Sequence, residues 1–490
     1  MRPLWSKEEA KFADQKTYQE KGISSLDLMF LAGKKMAEWI RKHLPSGKML
    51  VLCGSGGNGG DGYVVAECLR THFDVSVYPV EAPKTEECCY YAKKYQGKIE
   101  KELSLSSYDY IVDAMYGISY CSRGEKNLIF SKVNQAGKKV IALDLPSGLE
   151  ANTGKSEGII ADTTLTVQEY KRGMILQDGR DVCGTIVRLP LGISSLPSEV
   201  FCLEKKDVKV YLPKRKHHSH KGSYGKVYLM GGSRRFLGAG YLSYSSLAAM
   251  RVGSGYSVLC VPESLAQYVY LKAPEIPLCF CKDNEGEFLF DEAFLKEWMT
   301  SANVICLGMG MGRSEEVEKI VAYLLTHFEG KLLLDADGWF ALKHLGLEIL
   351  LQKRCELIVT PHLKEFADVV GDTVSSLQEH LVEKAKTFAS TYHLTLVLKD
   401  CASVITDGEQ VFINPTGSPT NAKAGSGDML SGIIAGLWSY QKKAVIAGAV
   451  GSYILGACGE RLQKEQGSYA CIATDVLRIL PRVMKSLEGK

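Results

Sequence analysis

Lys48-Met49-Leu50-Val51-Leu52-Cys53-Gly54-Ser55-Gly56-Gly57-Asn58-Gly59-Gly60-Asp61-Gly62 reads as an apolar strand that runs straight into a glycine-rich turn. A short, unbroken apolar run suits a strand covered on both faces, the environment of a parallel sheet. Upstream, Leu26, Met29, Phe30, Met36, Ala37 and Ile40 recur at helical spacing with the small Gly33 on the same face, so an amphipathic helix leads in. Downstream, apolar runs return at Val75–Val80, Tyr110–Asp113, Val140–Leu143 and Thr163–Val167, most of them separated by helix-length segments. This alternation predicts an α/β fold with helices packed on a parallel sheet.

Between Leu189 and Pro213 the pattern loosens into short segments with prolines and charges, and the lysine- and histidine-rich stretch Lys214 to Lys221 follows. The shift places a domain boundary near residue 205, giving domains 1–205 and 206–490. A second strand series then begins: Val227–Met230, Tyr256–Val261, Val304–Leu307, Lys331–Leu334, Glu356–Val359 and Leu394–Leu398, with a hairpin over Val404–Ile413. Helical patterns such as Ala239–Arg251 and Glu315–Thr326 lie between them, so the second half is also α/β.

A chain of 490 residues exceeds a typical domain of ~150, which agrees with two large domains, and 46% hydrophobic content fills their cores. The net charge of +3 gives no electrostatic ground for expecting nucleic acid or a membrane surface as partner, so small molecules are favoured. The 15 cysteines contain no C-x-x-C pair and read as reduced thiols of a cytoplasmic protein. The start turns acidic at Glu8-Glu9 before an apolar signal region forms, and no signal peptide is expected. Ala444 to Ala457, interrupted by glycines, is too short for a bilayer and reads as a core helix.

The first-half loop contains a literal G-x-G-x-x-G, with Glu81 downstream as in a dinucleotide fingerprint. Asn58 and Asp61 are foreign to a loop that only cradles pyrophosphate; they suit a cation or a ribose hydroxyl. Asp113 and Asp144 end two more strands of the same sheet, so Asn58, Asp113, Asp144 and Ser147 can converge at the carboxyl ends of the strands, a set of oxygen ligands for a hard cation. The alternative is that they are helix caps and turn residues. Thr153-Gly154-Lys155-Ser156 mimics the end of a P-loop, but Gly148 lies one residue too far upstream, and the stretch reads as an ordinary loop.

In the second half, Gly425-Ser426-Gly427-Asp428 opens the apolar run Met429 to Leu437. Small residues at a helix start leave amides free to face an anion, and Asp428 in that turn is placed to take a proton from a hydroxyl attacking a phosphate. Gly231-Gly232-Ser233 and Gly308-Met309-Gly310-Met311-Gly312 follow strands and line further crevice positions. Thr360-Pro361-His362 presents polar groups at a helix start, and Lys399 can reach a nucleotide phosphate as a point charge. His217, His218 and His220 belong to a basic linker rather than a metal site.

With these residues in view, the chain resembles the bifunctional NAD(P)H-hydrate repair enzymes. The likeness rests on Gly54 to Gly62, Leu143-Asp144-Leu145-Pro146-Ser147-Gly148, His220-Lys221-Gly222-Ser223-Tyr224-Gly225, Leu334-Asp335-Ala336-Asp337, Thr360-Pro361-His362, Asn414-Pro415-Thr416-Gly417 and Gly425-Ser426-Gly427-Asp428. It implies an N-terminal Rossmann-like three-layer epimerase domain followed by a ribokinase-like α/β dehydratase domain. The substrates would be the hydrates of NADH and NADPH together with ADP or ATP carrying Mg²⁺, and a homo-oligomer is expected. A two-domain fusion of the prokaryotic kind favours ADP.

Carried over residue by residue, the resemblance implies that Asn58, Asp113 and Ser147 hold a potassium ion. The epimerase would contact hydrate through Gly57, Asn58, Gly59, Gly60 and Asp61. It would do so also through Gly117, Ile118, Ser119 and Tyr120, through Cys121, Ser122 and Arg123, and through Asp144 as acid/base. The dehydratase would bind hydrate with Ala239, Gly310, His362 and Asp428, the last as base. Lys399, Asp400, Cys401, Ala402 and Ser403 would hold the adenine nucleotide, with Ser418, Asn421, Lys423 and Ala424, and with Gly425, Ser426 and Gly427. Gly57 stands where the family usually has a second asparagine, Ile118-Ser119-Tyr120 replaces a more glycine-rich segment, and Asp400-Cys401 replaces smaller residues. The rival reading is a small-molecule kinase with a Rossmann-like binding module that lacks epimerase activity.

Overall fold

Lys48–Cys53 forms the strand its apolar content demands, with Met49 through Cys53 buried. The computed structural model describes residues 1–121, 128–194, 196–236, 238, 247–270 and 275–488. They fall into two units, Arg2–Ser198 and Glu199–Lys490, with Met1 joined to the second. The division precedes position 205 because Val200–Cys202 already pairs in parallel with Val411–Ile413, Val200 opposite Val411. So short a strand carries no readable period. Lys214 to Lys221 is exposed and lies inside the second unit.

In the first unit, seven parallel strands stand in the order Lys98–Ile99, Asp74–Pro79, Lys48–Cys53, Tyr110–Ala114, Lys139–Leu143, Thr163–Val167, Thr185–Leu189. Strand order reverses between Lys48–Cys53 and Tyr110–Ala114, which opens a crevice beyond their carboxyl ends. One face is covered by Ser25–His43, Gly57–Leu69 and Glu86–Lys94 through Met36, Ile40, Val65, Leu69 and Cys88. Phe130 and Val133 of Leu128–Gln135 cover the other, completing three Rossmann-like layers. The first two helices cross where Gly33 removes a side chain: a Cβ there would lie 2.6 Å from Val64 Cβ.

Among the elements the sequence left unread, two lie at the start of the chain. Arg2–Trp5 pairs in parallel with Tyr170–Lys171, and Lys7–Lys21 starts at a Ser6/Glu9 capping box. That helix buries only Ala10, Ala13 and Thr17, too thin a stripe to announce itself by periodicity. Ala10 and Ala13 pack with Trp5, Leu28 and Ile193.

In the second unit, Leu278–Cys281, Tyr256–Pro262, Lys226–Met230, Val304–Leu307, Lys331–Leu334, Glu356–Val359 and Thr395–Leu398 are parallel neighbours in that order. Val404–Thr406 and Val411–Ile413 extend the sheet as an antiparallel hairpin. Ser426–Trp438, Ala444–Gln466 and Ala473–Leu487 build the main core, and every residue from Met429 to Trp438 is buried. A helix apolar all round belongs inside. No helix among the described residues is long and apolar enough to cross a membrane. Thr153–Ser156 is a loop, closed by the isolated Leu149–Ser156 bridge.

Candidate functional site

Each unit carries a cleft where the carboxyl ends of its strands meet. In the first unit a cavity of ≈ 480 Å³ is lined by Gly57, Asn58, Asp61, Gly117, Ile118, Ser119, Tyr120 and Asp144. Asp144 follows Lys139–Leu143 with φ 62, a left-handed conformation that a non-glycine residue adopts at a cost. Its carboxylate accepts from Lys171 Nζ and, at 3.2 Å, from Thr166 Oγ1. Lys171 is almost wholly enclosed, with its side chain only 4% exposed.

Sequence reading missed three groups that meet Asp144 here. Lys171 comes from the strand paired with Arg2–Trp5, while Asp14 and Tyr18 come from Lys7–Lys21. Burial, with the like charge of Asp144, pushes the Asp14 carboxyl up to about 6 against the pull of Lys171. Asp61 is driven well above the carboxylate range by burial and by Asp144 and Asp14 together. The cleft therefore sets a carboxyl bonded to an ammonium beside two carboxyls that hold their protons to higher pH than usual.

Asp113, at the end of Tyr110–Ala114, is fully buried. Its Oδ1 accepts from Ser147 Oγ at 2.6 Å and its Oδ2 from the Ser147 amide at 2.7 Å. Burial pushes its carboxyl up to about 6, with these hydrogen bonds pulling the other way. Asn58 donates from Nδ2 to the Tyr116 carbonyl at 3.0 Å, whereas its Oδ1 is buried with no partner among the described residues. An orphaned oxygen beside this set is what an oxygen-ligated cation would satisfy.

Gly59 and Gly60 pack instead of facing the cavity. A Cβ on Gly59 would strike the Gly54 carbonyl at 2.0 Å, and one on Gly60 would strike Met29 Sδ at 2.4 Å. Glu81, matched by spacing to a ribose-binding acid, accepts from Tyr116 Oη at 2.7 Å and Ser55 Oγ at 2.9 Å, and so braces the loops. Cys121 stands 3.7 Å from Lys7 Nζ and does not line the cavity. Ser122 and Arg123 lie outside the described residues, as does Ala239 in the second unit.

The second cleft, ≈ 520 Å³, is lined by His362, by Lys399, Asp400, Cys401 and Ser403, and by Ser418, Asn421, Ser426 and Gly427. Gly425, with φ 88, turns the chain into Ser426–Trp438, and no side chain caps that helix. The Ser426 amide donates to the Lys423 carbonyl at 3.1 Å, and the other first-turn amides are left to a ligand. Burial, reinforced by the like charge of Asp335 and opposed by Lys399, pushes the Asp428 carboxyl up to about 7, the range of a working general base.

Lys399 lines the cleft with its ammonium already paired. Its Nζ lies 2.8 Å from Asp335 Oδ1, and the pair is nearly buried. His362 caps Leu363–Val370, its Nδ1 accepting from the Glu365 amide at 3.1 Å, and bridges to Lys399 through the backbone. The Asn421 side chain is spent internally, accepting from the Ser418 amide at 3.2 Å and donating to the Leu455 carbonyl at 3.3 Å. Ala402, Lys423, Ala424, Gly425 and Asp428 fall outside the lining, as does Gly310, which packs near Phe236. Asn414 and Thr416 line the cleft beside them, held to the carbonyls of Ser452 and Tyr453. Their motif was visible in the sequence; their position was not. Among the described residues no group of three or more His, Cys, Asp or Glu is arranged to hold a metal.

Comparison with known proteins finds a family match in each unit. Residues 227–482 match a family described as NAD(P)H-hydrate dehydratase, and residues 25–173 match a YjeF-related protein N-terminus. A bifunctional NAD(P)H-hydrate repair enzyme of Moorella thermoacetica is 32% identical, covering 97% of this chain and 95% of its own. One from Archaeoglobus fulgidus is 31% identical over 94% and 95%. Among solved structures, an ADP/ATP-dependent NAD(P)H-hydrate dehydratase of Bacillus subtilis, co-crystallized with ATP and Mg²⁺, is 29% identical with a TM-score of 0.50. It covers 58% of this chain and 98% of its own.

Proposed function

The chain belongs to the bifunctional NAD(P)H-hydrate repair enzyme family, and on that footing we propose that its two clefts divide one repair between them. The first unit interconverts R and S hydrates of NADH and NADPH. The second dehydrates the S form at the expense of ADP or ATP, with ADP preferred. The observation that carries this reading is Asp428 in the first turn of an uncapped helix, its carboxyl raised to about 7 beside the Lys399–Asp335 pair.

In the second cleft Asp428 takes the proton of the C6 hydroxyl as that oxygen bonds to the terminal phosphorus of the nucleotide. The P–O bond to AMP or ADP breaks at the same centre. The amides of Gly425 and Gly427 stabilise charge on the phosphoryl group in transfer, that of Ser426 being held by the Lys423 carbonyl. The C6–O bond then breaks: phosphate leaves with the electron pair, the ring nitrogen lone pair replaces it, and loss of the C5 proton restores the dihydronicotinamide. Mg²⁺ would travel on the nucleotide phosphates, since the charge to be neutralised is there.

In the first cleft the oxygen at C6 must leave one face and return on the other. A proton goes to the departing hydroxyl, water adds from the opposite face, and that water gives up a proton. Asp144 is the acid/base group, oriented by Lys171, with the carboxyls of Asp14 and Asp61, both raised by burial, in the same cavity. Potassium would be held by Asn58, Asp113 and Ser147, supplying a fixed positive charge beside the Gly117 loop. The orphaned Asn58 Oδ1 supports this. Among the described residues no disulfide joins two cysteines, which favours a reducing, cytoplasmic setting.

The dehydratase assay on mixed hydrates, with ADP and ATP tested separately, examines the whole reading. Regenerated reduced-nicotinamide absorbance with phosphate release supports it; a stable phosphorylated product would make the protein a kinase. For the cation, potassium at ten times its Kd should stabilise the parent by about 1.4 kcal/mol over choline at equal ionic strength. That is roughly 3–6 °C in Tm for a unit of this size. Asp113→Asn should erase the difference, and in the parent it should fade as pH falls through about 6, where a proton occupies Asp113. A potassium effect that persists in the variant would remove Asp113 from the site.

Gly57 has open space around it, nothing within 4 Å of an added Cβ, and it begins Gly57–Leu69. Gly57→Asn should therefore fold, gain up to about 0.5–1 kcal/mol from the lost glycine entropy, and raise kcat/KM for the R hydrate severalfold. An unchanged kcat/KM would show that the missing side chain makes no contact with substrate.

A further inference from the structure

We propose that Asp335 is a positioning residue of the dehydratase centre: its carboxylate clamps the Lys399 ammonium beneath the first turn of Ser426–Trp438, where the phosphoryl group is transferred. The proposal rests on the dehydratase reading of this cleft and adds to it a residue that does not line the cavity.

Asp335 follows Lys331–Leu334 and is 1% exposed. Its two oxygens are committed in different directions. Oδ1 accepts from Lys399 Nζ at 2.8 Å, and Oδ2 accepts from Ser431 Oγ at 2.7 Å. Ser431 sits on the same helix that presents Asp428, so one buried carboxylate ties a strand-end ammonium to the catalytic helix. The meeting point is the helix start itself: a Cβ added at Gly427 would lie 3.4 Å from Lys399 Nζ and 3.8 Å from Asp335 Oδ2. Glycine at 427 is what lets the ammonium approach the amides that face the cleft.

The sheet fixes both partners. The Lys399 amide donates to the Pro361 carbonyl at 2.8 Å, and the Asp335 amide donates to the Leu307 carbonyl at 3.0 Å. A flexible lysine is thereby converted into a fixed positive charge, which acts on a developing phosphoryl charge without reorganising. Burial alone would raise the Asp335 carboxyl, yet the Lys399 charge and hydrogen bonds from Lys399, Ser431 and Thr360 hold it below the ordinary range. The charges facing Lys399 are those of Asp335, Glu365 and Asp428; those facing Asp428 are Asp335 and Lys399. Loss of the Asp335 charge removes a like charge from beside Asp428 and leaves the Lys399 ammonium in place, so its titration moves to lower pH.

The experiment compares Asp335→Asn and Ser431→Ala with the parent in the full chain, reading melting temperature, kcat, KM and the pH profile of S-hydrate dehydration. Asp335→Asn is expected to lose ~10²-fold, mainly in kcat, as misplaced catalytic groups do. The acidic limb of its profile should move down by about one pH unit or more. A folded Asp335→Asn with kcat within about twofold of the parent and an unmoved limb overturns the proposal, because a merely structural ion pair would leave the limb in place. Should that variant not fold, Ser431→Ala decides, since it removes one hydrogen bond and no charge. Its kcat should fall roughly threefold to tenfold with the parent's melting temperature, and parent-like turnover overturns the proposal. A parent that regenerates no reduced nicotinamide with either nucleotide defeats the dehydratase reading itself, a result distinct from both.

Discussion

Asp428→Asn abolishes nucleotide-dependent dehydration of the S hydrate, lowering kcat by ~10³-fold or more, while the fold and nucleotide binding persist. General-base catalysis by a positioned side chain contributes ~10²–10⁴-fold, and this carboxyl sits in the first turn of the uncapped Ser426–Trp438 helix, where we place the phosphoryl transfer. The substitution keeps the shape and removes only the capacity to accept a proton. Stability gives a second readout with a definite sign. A carboxyl raised to about 7 by burial and by Asp335 binds its proton more tightly folded than unfolded. Its contribution is fully present below the ordinary carboxylate range and is lost as pH rises through about 7. Asparagine does not titrate, so above that pH the variant should melt at or above the parent's temperature. Absorbance of reduced nicotinamide, with ADP and ATP supplied separately, and melts on both sides of neutrality measure the two effects. Near-normal turnover would take the base role away from Asp428.

Much of this could be read along the chain because the informative signals were local. A strand buried on both faces is apolar throughout, and Lys48–Cys53, Val304–Leu307 and Glu356–Val359 show it directly. The Gly425 turn was legible because only small residues start a helix that leaves its amides to a ligand. Groups gathered by tertiary packing were not legible. Asp14 reaches the first cleft on a helix held by two alanines, Lys171 arrives on a two-residue strand, and Asp335 shares its carboxylate between partners 64 and 96 positions away. Glu81 shows the converse: its spacing fits a fingerprint, while its hydrogen bonds to Tyr116 and Ser55 give it a loop-bracing role. Spacing reports what a residue's neighbours in sequence can do; the charge it will face is set by what folds against it.

Asp144→Asn should stop conversion of mixed hydrates at the S fraction, with R-hydrate epimerisation falling ~10³-fold and dehydration of supplied S hydrate proceeding at the parent's rate. Asparagine is the informative substitution for two reasons. Asp144 has φ 62, a conformation that asparagine tolerates and alanine does not. Its partner Lys171 is only 4% exposed, so alanine would strand a buried ammonium at a cost of about 3–5 kcal/mol, whereas asparagine keeps an oxygen for it to donate to. Some destabilisation should remain, because a neutral acceptor replaces a charge. Combining Asp144→Asn with Lys171→Met removes the stranded charge and should recover melting temperature without recovering epimerisation, separating the structural work of the ion pair from its chemistry. The check is a time course on mixed hydrates followed to its plateau. The parent runs to completion and the variant halts part-way. Complete conversion by Asp144→Asn at the parent's rate would move the acid/base role to another group in the cavity, with Asp14 and Asp61 next to be tested.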